Sequence, residues 1–134
     1  MQTVFPTGIA YGQIEETPTE EVTKKSPLLD TELIVRSYFK DIPVMIQIAR
    51  CESGFRHTLE DGSVLTGKVD PADTGVMQIN KRFHEAKAAT MHLNLNDLYN
   101  NMAYARHLYE TQGTRPWNAS ASCWNNQSIA MNNN

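Results

Sequence analysis

The residues predict a mainly α protein of the α+β class: five or so helices and a short β-hairpin in one domain. Three observations support this. Apolar residues between about 28 and 124 recur mostly at helical spacing. Two short extended runs flank Asp61-Gly62, a dipeptide suited to a tight hairpin turn. The length of 134 residues allows one compact domain with tails, and 40% apolar residues suffice for a modest core.

Residues 1–27 read as a flexible tether. Pro6, Thr7, Pro18, Thr19, Thr23 and Pro27 recur there, and apolar residues are too sparse to offset the entropy of ordering. The domain then spans 28–124. Asp30 or Thr31 is placed to cap a first helix with Leu33, Ile34, Ser37 and Tyr38 on one side. Asp41 is placed to cap a second, with Pro43 in the first turn, where a missing N–H costs little. Its apolar positions are Ile42, Met45, Ile46 and Ala49, and it runs to about Ser53 before Gly54 ends it. His57–Leu59 and Val64–Val69 form the arms of the hairpin. A third helix covers about Lys81–Ala89. Asn96 caps a fourth, with Leu98, Met102, Ala105 and Tyr109 on one face and Gly113 at its end. Pro116 opens a last short helix through Trp117 to Cys123, and the Asn-rich stretch 125–134 reads as a disordered tail.

The net charge is −3; the tether's four glutamates and two lysines account for −2, leaving the body near neutral. Phosphate binding leaves a basic footprint, so no nucleic-acid partner is expected. No run approaches the roughly 18 apolar residues of a membrane helix, so no membrane span is expected. No basic segment leads into an apolar stretch at the start, so no secretory signal is visible, which leaves a trimmed chain or another route out of the cell. Cys51 and Cys123 fit no zinc spacing; they are inert thiols or, in an oxidising compartment, a disulfide, and composition does not choose. His57, His84, His92 and His107 show no mutual ligand spacing and read as solvated or capping residues. Asp70–Gly75 has the outline of a calcium loop, but Ala72 stands at a ligand position and no glutamate closes it. Neither a P-loop, a dinucleotide fingerprint nor a nucleophile elbow is present, so no cofactor and no metal are expected. Asn118-Ala119-Ser120 matches a glycosylation sequon, a pattern short enough to arise by chance.

Glu52 is the residue with chemical promise. It falls in the last turn of the second helix, where the dipole disfavours an anion by a few tenths to about 1 kcal/mol. Ile48 and Ala49 lie one turn back on the same face. A carboxyl in that setting should have its pKa raised, as a general acid near neutral pH requires. A solvated glutamate paired with Arg56 is the competing reading.

The surrounding residues decide between them. Ala49-Arg50-Cys51-Glu52-Ser53-Gly54-Phe55 resembles the Glu-Ser-Gly-Phe signature of the soluble lytic transglycosylase family. Gly75-Val76-Met77-Gln78-Ile79-Asn80 resembles its second signature, Gly-Leu-Met-Gln followed by an apolar residue, and Asn101–Gly113 is similar to its Asn-rich helix. The likeness covers about residues 42–124. It implies a lysozyme-like α+β fold, the hairpin beside an active-site groove, and Glu52 as the one obligatory catalytic carboxylate. It also implies peptidoglycan as substrate, no metal and no cofactor, an extracytoplasmic location (periplasmic, secreted or virion-associated) and a monomer, with the tether able to join a larger cell-wall-penetrating machine.

Residue by residue, the resemblance places Ser53, Gln78, Asn80, Tyr104 and Trp117 at the substrate. Gln78 offers a bidentate amide to an N-acetyl or hydroxyl group. Asn80 suits equally a cap for the third helix, and Tyr104 and Trp117 suit equally the core or a sugar ring. The chain departs from the family at Pro116–Trp124, where many members carry Ala-Tyr-Asn-Ala-Gly; the groove tyrosine would then have to be Tyr104 or Tyr109. A cysteine just before Glu-Ser-Gly and another near a late tryptophan also resemble the resuscitation-promoting factors, whose cysteines bond, which implies a Cys51–Cys123 disulfide.

The expected reaction is cleavage of the β-1,4 bond between N-acetylmuramic acid and N-acetylglucosamine with a 1,6-anhydro product. The alternative is hydrolysis by a muramidase, in which Glu60, Asp61, Asp70 or Asp73 positions water. A non-catalytic peptidoglycan-binding module is the further alternative.

Overall fold

A computed structural model of the chain describes residues 27–125, so the tether and all but the first residue of the tail lie outside the described residues. The architecture is α+β and mainly α, as expected. The elements run α1 (Pro27–Tyr38), α2 (Pro43–Ser53), β1 (Asp73–Thr74), β2 (Ile79–Asn80), α3 (Lys81–Thr90), α4 (Leu98–Gln112) and a 3-10 helix (Arg115–Ser120), with residues 121–125 helical after it. Among the described residues no helix is long and apolar enough to cross a membrane.

α1 begins at Pro27, earlier than a cap at Asp30 or Thr31 would put it. Its buried positions are Val35 and Phe39, flanked by the partly buried Ile34 and Tyr38, while Leu33 and Ser37 face outward. The i, i+4 pair 35/39 sets that face. Asp41 does not cap α2, whose N-cap is Ile42 with no side-chain bond. The Asp41 carboxylate is taken instead by a fork of bonds from Arg106 at 3.0 and 3.1 Å, a geometry that guanidinium favours. Arg106 also donates to the Tyr38 carbonyl, so α4 is tied to the turn between α1 and α2.

α2 is the core helix. Met45, Ile46, Gln47, Ile48 and Ala49 are buried in succession, wider than the expected stripe, because neighbours cover it on several sides. It stops where expected: Gly54 adopts a left-handed conformation (φ 63°), and its N–H closes on the Arg50 carbonyl.

The hairpin is the main departure from expectation. The Asp61-Gly62 turn is there, with Ser63 N–H and hydroxyl both donating to Asp61, but its arms meet only at the isolated bridge Thr58–Val64. The regular ladder is β1 with β2, Asp73 opposite Asn80 and Thr74 opposite Ile79. A second bridge, Thr66–Thr74, joins the later hairpin arm to β1. Side-chain alternation marked the extended segments, but it carries little information on which of several short segments pair.

α3 starts as expected, with the Asn80 carbonyl oxygen of the side chain accepting from Arg82 N–H. α4 is capped by Asp97, which accepts from Asn100 N–H, one residue later than the expected Asn96. Met102, Tyr104, Ala105 and Leu108 bury its inner face, and it ends before Gly113. The last segment is a 3-10 turn rather than one α-helix, with Trp117 departing from helical angles.

The tight turn 75–78 is locked from both sides. His57 is buried rather than solvated: its Nδ1 accepts from Val76 N–H at 3.0 Å and its Nε2 lies 2.7 Å from the Asn96 carbonyl. That pattern demands the neutral Nε2–H form, and burial, the largest cause, holds the His57 pKa below its ordinary value. Asn101, fully buried, accepts from Met77 N–H and donates to the Thr74 and Leu95 carbonyls. Gly75 (φ 76°) sits between them; a Cβ there would stand 2.6 Å from the His57 ring and 2.5 Å from the Asn101 amide. Gly75→Ala should therefore lower unfolding free energy by about 2 kcal/mol or more, through strain at positive φ plus displaced partners. A denaturant midpoint that falls with unchanged m-value checks this, and a shift worth less than about 0.5 kcal/mol would contradict it.

Candidate active site

The end of α2, the loop after it and the segment 65–78 enclose an open cleft of about 610 Å³, with Glu52, Ser53, Gly54, Arg56, Asp73 and Gln78 on its walls. A smaller hollow of about 280 Å³ lies on the other side of Asp73 and Gln78, which line both, and is edged by Asn80, Phe83 and Trp117.

Glu52 reaches the cleft because α2 ends at Gly54, leaving the last turn at the rim with the buried helix behind it. Its carboxylate accepts from the Ser120 hydroxyl at 2.6 Å. Burial raises the Glu52 pKa above its ordinary value; the Ser120 hydrogen bond offsets part of this, and the negative charge of Asp73 adds to the rise. The pairing with Arg56, which the competing reading required, does not form. Arg56 donates through Nε to the Ser53 carbonyl and remains exposed on the cleft wall.

The other predicted site residues divide. Gln78 lines the cleft, and its backbone takes φ 52°, unusual without glycine. Its N–H and its side-chain Nε2 both donate to the Gly75 carbonyl at 3.0 Å, which holds that strain in place. Its Oε1 packs so close to Gly67 that a Cβ there would lie 3.1 Å away. Ser53 lines the cleft but is buried, its hydroxyl turned back to the Ala49 carbonyl. Asn80 spends its amide elsewhere: Nδ2 donates to Asp70 and Asp73 at 2.9 Å, and Oδ1 caps α3.

Tyr104 and Trp117 belong to the core, at 1% and 3% exposure, so neither presents a ring face for stacking. Tyr104 bonds His84 through its hydroxyl. The Trp117 indole donates to the Met77 carbonyl, pinning the 3-10 helix to the 75–78 turn. Tyr109 is partly buried against the same core. An exposed aromatic on the edge of the smaller hollow is Phe83, 74% exposed, whose place on a polar helix gave no sequence signal.

Of the four acids considered as partners, three are accounted for away from the cleft. Asp61 closes its own turn, and Glu60 is exposed outside the cleft lining. Asp70 is held by Arg82 at 2.6 Å, which with the Ala72 N–H brings its pKa down to about 2. Asp73 alone shares the cleft wall with Glu52.

The implied disulfide is present, Cys51 to Cys123 with Cα atoms 6.1 Å apart. It joins the residue before Glu52 to the segment just after Ser120. Among the described residues no three His, Cys, Asp or Glu side chains gather as a metal would need. Comparison with models of known protein families, with curated proteins and with solved structures finds no match for this chain.

Proposed function

We propose that this protein is a lytic transglycosylase of lysozyme-like fold that cleaves the β-1,4 bond between N-acetylmuramic acid and N-acetylglucosamine in peptidoglycan, with Glu52 as general acid and then base. The observation that carries this is the Glu52 carboxyl: half-buried on the wall of an open cleft, with a raised pKa and a hydrogen bond accepted from Ser120. A solvated structural glutamate would need none of these.

Protonated Glu52 gives its proton to the glycosidic oxygen, and the N-acetylglucosamine side leaves as an alcohol. The muramoyl C6 hydroxyl then attacks C1 while Glu52 takes its proton. The products are a 1,6-anhydro ring and a restored acid, and no water is consumed. Arg56 and Lys68 on the cleft wall supply positive charge suited to the carboxylates of muramoyl lactyl and peptide groups. The proposed setting is extracytoplasmic, which the disulfide favours, with the protein acting as a monomer or carried by a larger wall-penetrating machine.

One observation favours a second reading. Asp73 lines the same cleft, so it could orient water for hydrolysis, making the protein a muramidase. Mass analysis of muropeptides released from purified peptidoglycan separates the two. The expected products carry anhydro ends, lighter by one water than reducing ends. Dominant reducing ends, lost in Asp73→Asn, would establish the muramidase; no released fragments at all would leave a wall-binding module.

A further inference from the structure

We infer that Ser120 is the positioning residue for Glu52, a hydroxyl that holds Oε2 in place whether the carboxyl carries its proton or has given it up. The inference rests on the reading of Glu52 as acid and base and extends it to a residue outside the family-like motifs.

Ser120 Oγ lies 2.6 Å from Glu52 Oε2 and 3.2 Å from the Trp117 carbonyl oxygen. A hydroxyl has one proton to give. When Glu52 is ionised, that proton points to Oε2, since a hydrogen bond to a charged acceptor is the stronger. When Glu52 is protonated for catalysis, the acid proton sits on Oε1, free to pass to the glycosidic oxygen, and Oε2, then a carbonyl oxygen, still accepts from Ser120. Both states keep the same contact, with no movement of heavy atoms. A carboxyl that must serve as acid and then as base in one turnover needs that property. Without the hydroxyl, the half-buried Oε2 would lose this partner in both states.

The surroundings hold the pair in register. The Trp117 carbonyl is fixed by the Trp124 indole N–H at 3.1 Å, and the Trp117 indole is anchored to Met77. The Cys51–Cys123 bond crosses between the same two segments. The charged groups that share the cleft wall with Glu52 are Asp73 from β1, Lys68 from the loop before it and Arg56 from the loop after α2. The 3-10 helix contributes the uncharged Ser120. None of the three charged groups hydrogen-bonds Glu52, so the serine hydroxyl is the contact that sets its orientation.

The test uses Ser120→Ala and Ser120→Thr with two readouts. In kinetics on purified glycan strands, Ser120→Ala should lower kcat by about tenfold with KM little changed, since one hydrogen bond is lost at the reacting group only. Its alkaline limb should move to higher pH, because the lost bond had favoured the ionised carboxylate. Ser120→Thr, which keeps the hydroxyl, should restore both. The second readout is a carbon-13 titration of the Glu52 carboxyl without substrate, where Ser120→Ala should titrate at higher pH than the wild type.

An unmoved titration in Ser120→Ala overturns the inference, as does a threonine variant that titrates like the alanine one. A loss of kcat that tracks a loss of melting temperature, with limb and titration unmoved, also overturns it. If the titration moves as expected but Glu52→Gln still cleaves, the positioning contact stands and the catalytic reading of Glu52 falls.

Discussion

Glu52→Gln should abolish cleavage of purified peptidoglycan while the protein stays folded. The change keeps the side chain's length and shape and removes only the titratable proton. General acid catalysis is worth roughly 100- to 10,000-fold, so a loss of about 3 kcal/mol or more of transition-state stabilisation is expected, in kcat rather than KM. The fold should tolerate the change. A glutamine Oε1 can still accept from Ser120, and no anion remains at the negative end of α2. The sign of the stability effect follows from the raised pKa. A carboxyl whose folded pKa lies above its unfolded value stabilises the fold fully below the unfolded value, and that contribution is lost as pH rises through the folded value. At neutral pH the wild type carries the cost, so the glutamine variant should melt no lower and slightly higher. In the wild type, activity should fall on the alkaline side as Glu52 ionises. Wild-type rates in the glutamine variant would remove Glu52 from the chemistry, and a melting point several degrees lower would mean the carboxylate is structural.

The parts of this protein legible from sequence are those encoded within one turn of chain. Gly54 ending α2 and the polar turn at Asp61-Gly62 each satisfy backbone groups locally, so residue type alone points to them, while Asn80 capping α3 was one of two readings its type allowed. The raised pKa of Glu52 also follows from its place at a helix end over Ile48 and Ala49. Spacing left the solvated reading open, however, and it was the family-like motifs around Glu52 that singled it out. What depends on distant segments was not legible. Tyr104 and Trp117 have the apolar body and polar tip that suit either a groove or a core. Only the partners at His84 and Met77 show which was chosen. His57 reads as a surface histidine until Val76 and Asn96 are brought to its two nitrogens. Asp41 fits a helix cap until Arg106, 65 residues on, offers a fork of two bonds. Ser120 lay inside the Asn118-Ala119-Ser120 sequon, 68 residues from Glu52. Its one sequence signal was indirect: a bond between Cys51 and Cys123 brings the neighbours of both cysteines together.

Removing that bond, as Cys51→Ala with Cys123→Ala, should lower unfolding free energy by about 4 kcal/mol. The cysteines are 72 residues apart, and the chain-entropy model assigns that much to releasing a loop of this length in the unfolded state. For a domain of this size the loss corresponds to a fall in melting temperature on the order of 15–30 °C. The domain should still fold at room temperature, because the last segment has other anchors. Trp117 and Trp124 are buried, and their indoles donate to the Met77 and Trp117 carbonyls. Activity at 25 °C should therefore fall less than stability does, since Ser120 stays near Glu52 without the covalent tie. Thermal melts of wild type and double variant check the first part, and cleavage rates well below both melting temperatures check the second. A difference under about 1 kcal/mol would show that the unfolded chain without the bond already keeps these two segments close. A double variant that is fully folded yet inactive would show that the disulfide itself, rather than the tryptophan contacts, holds the Glu52–Ser120 pair in register.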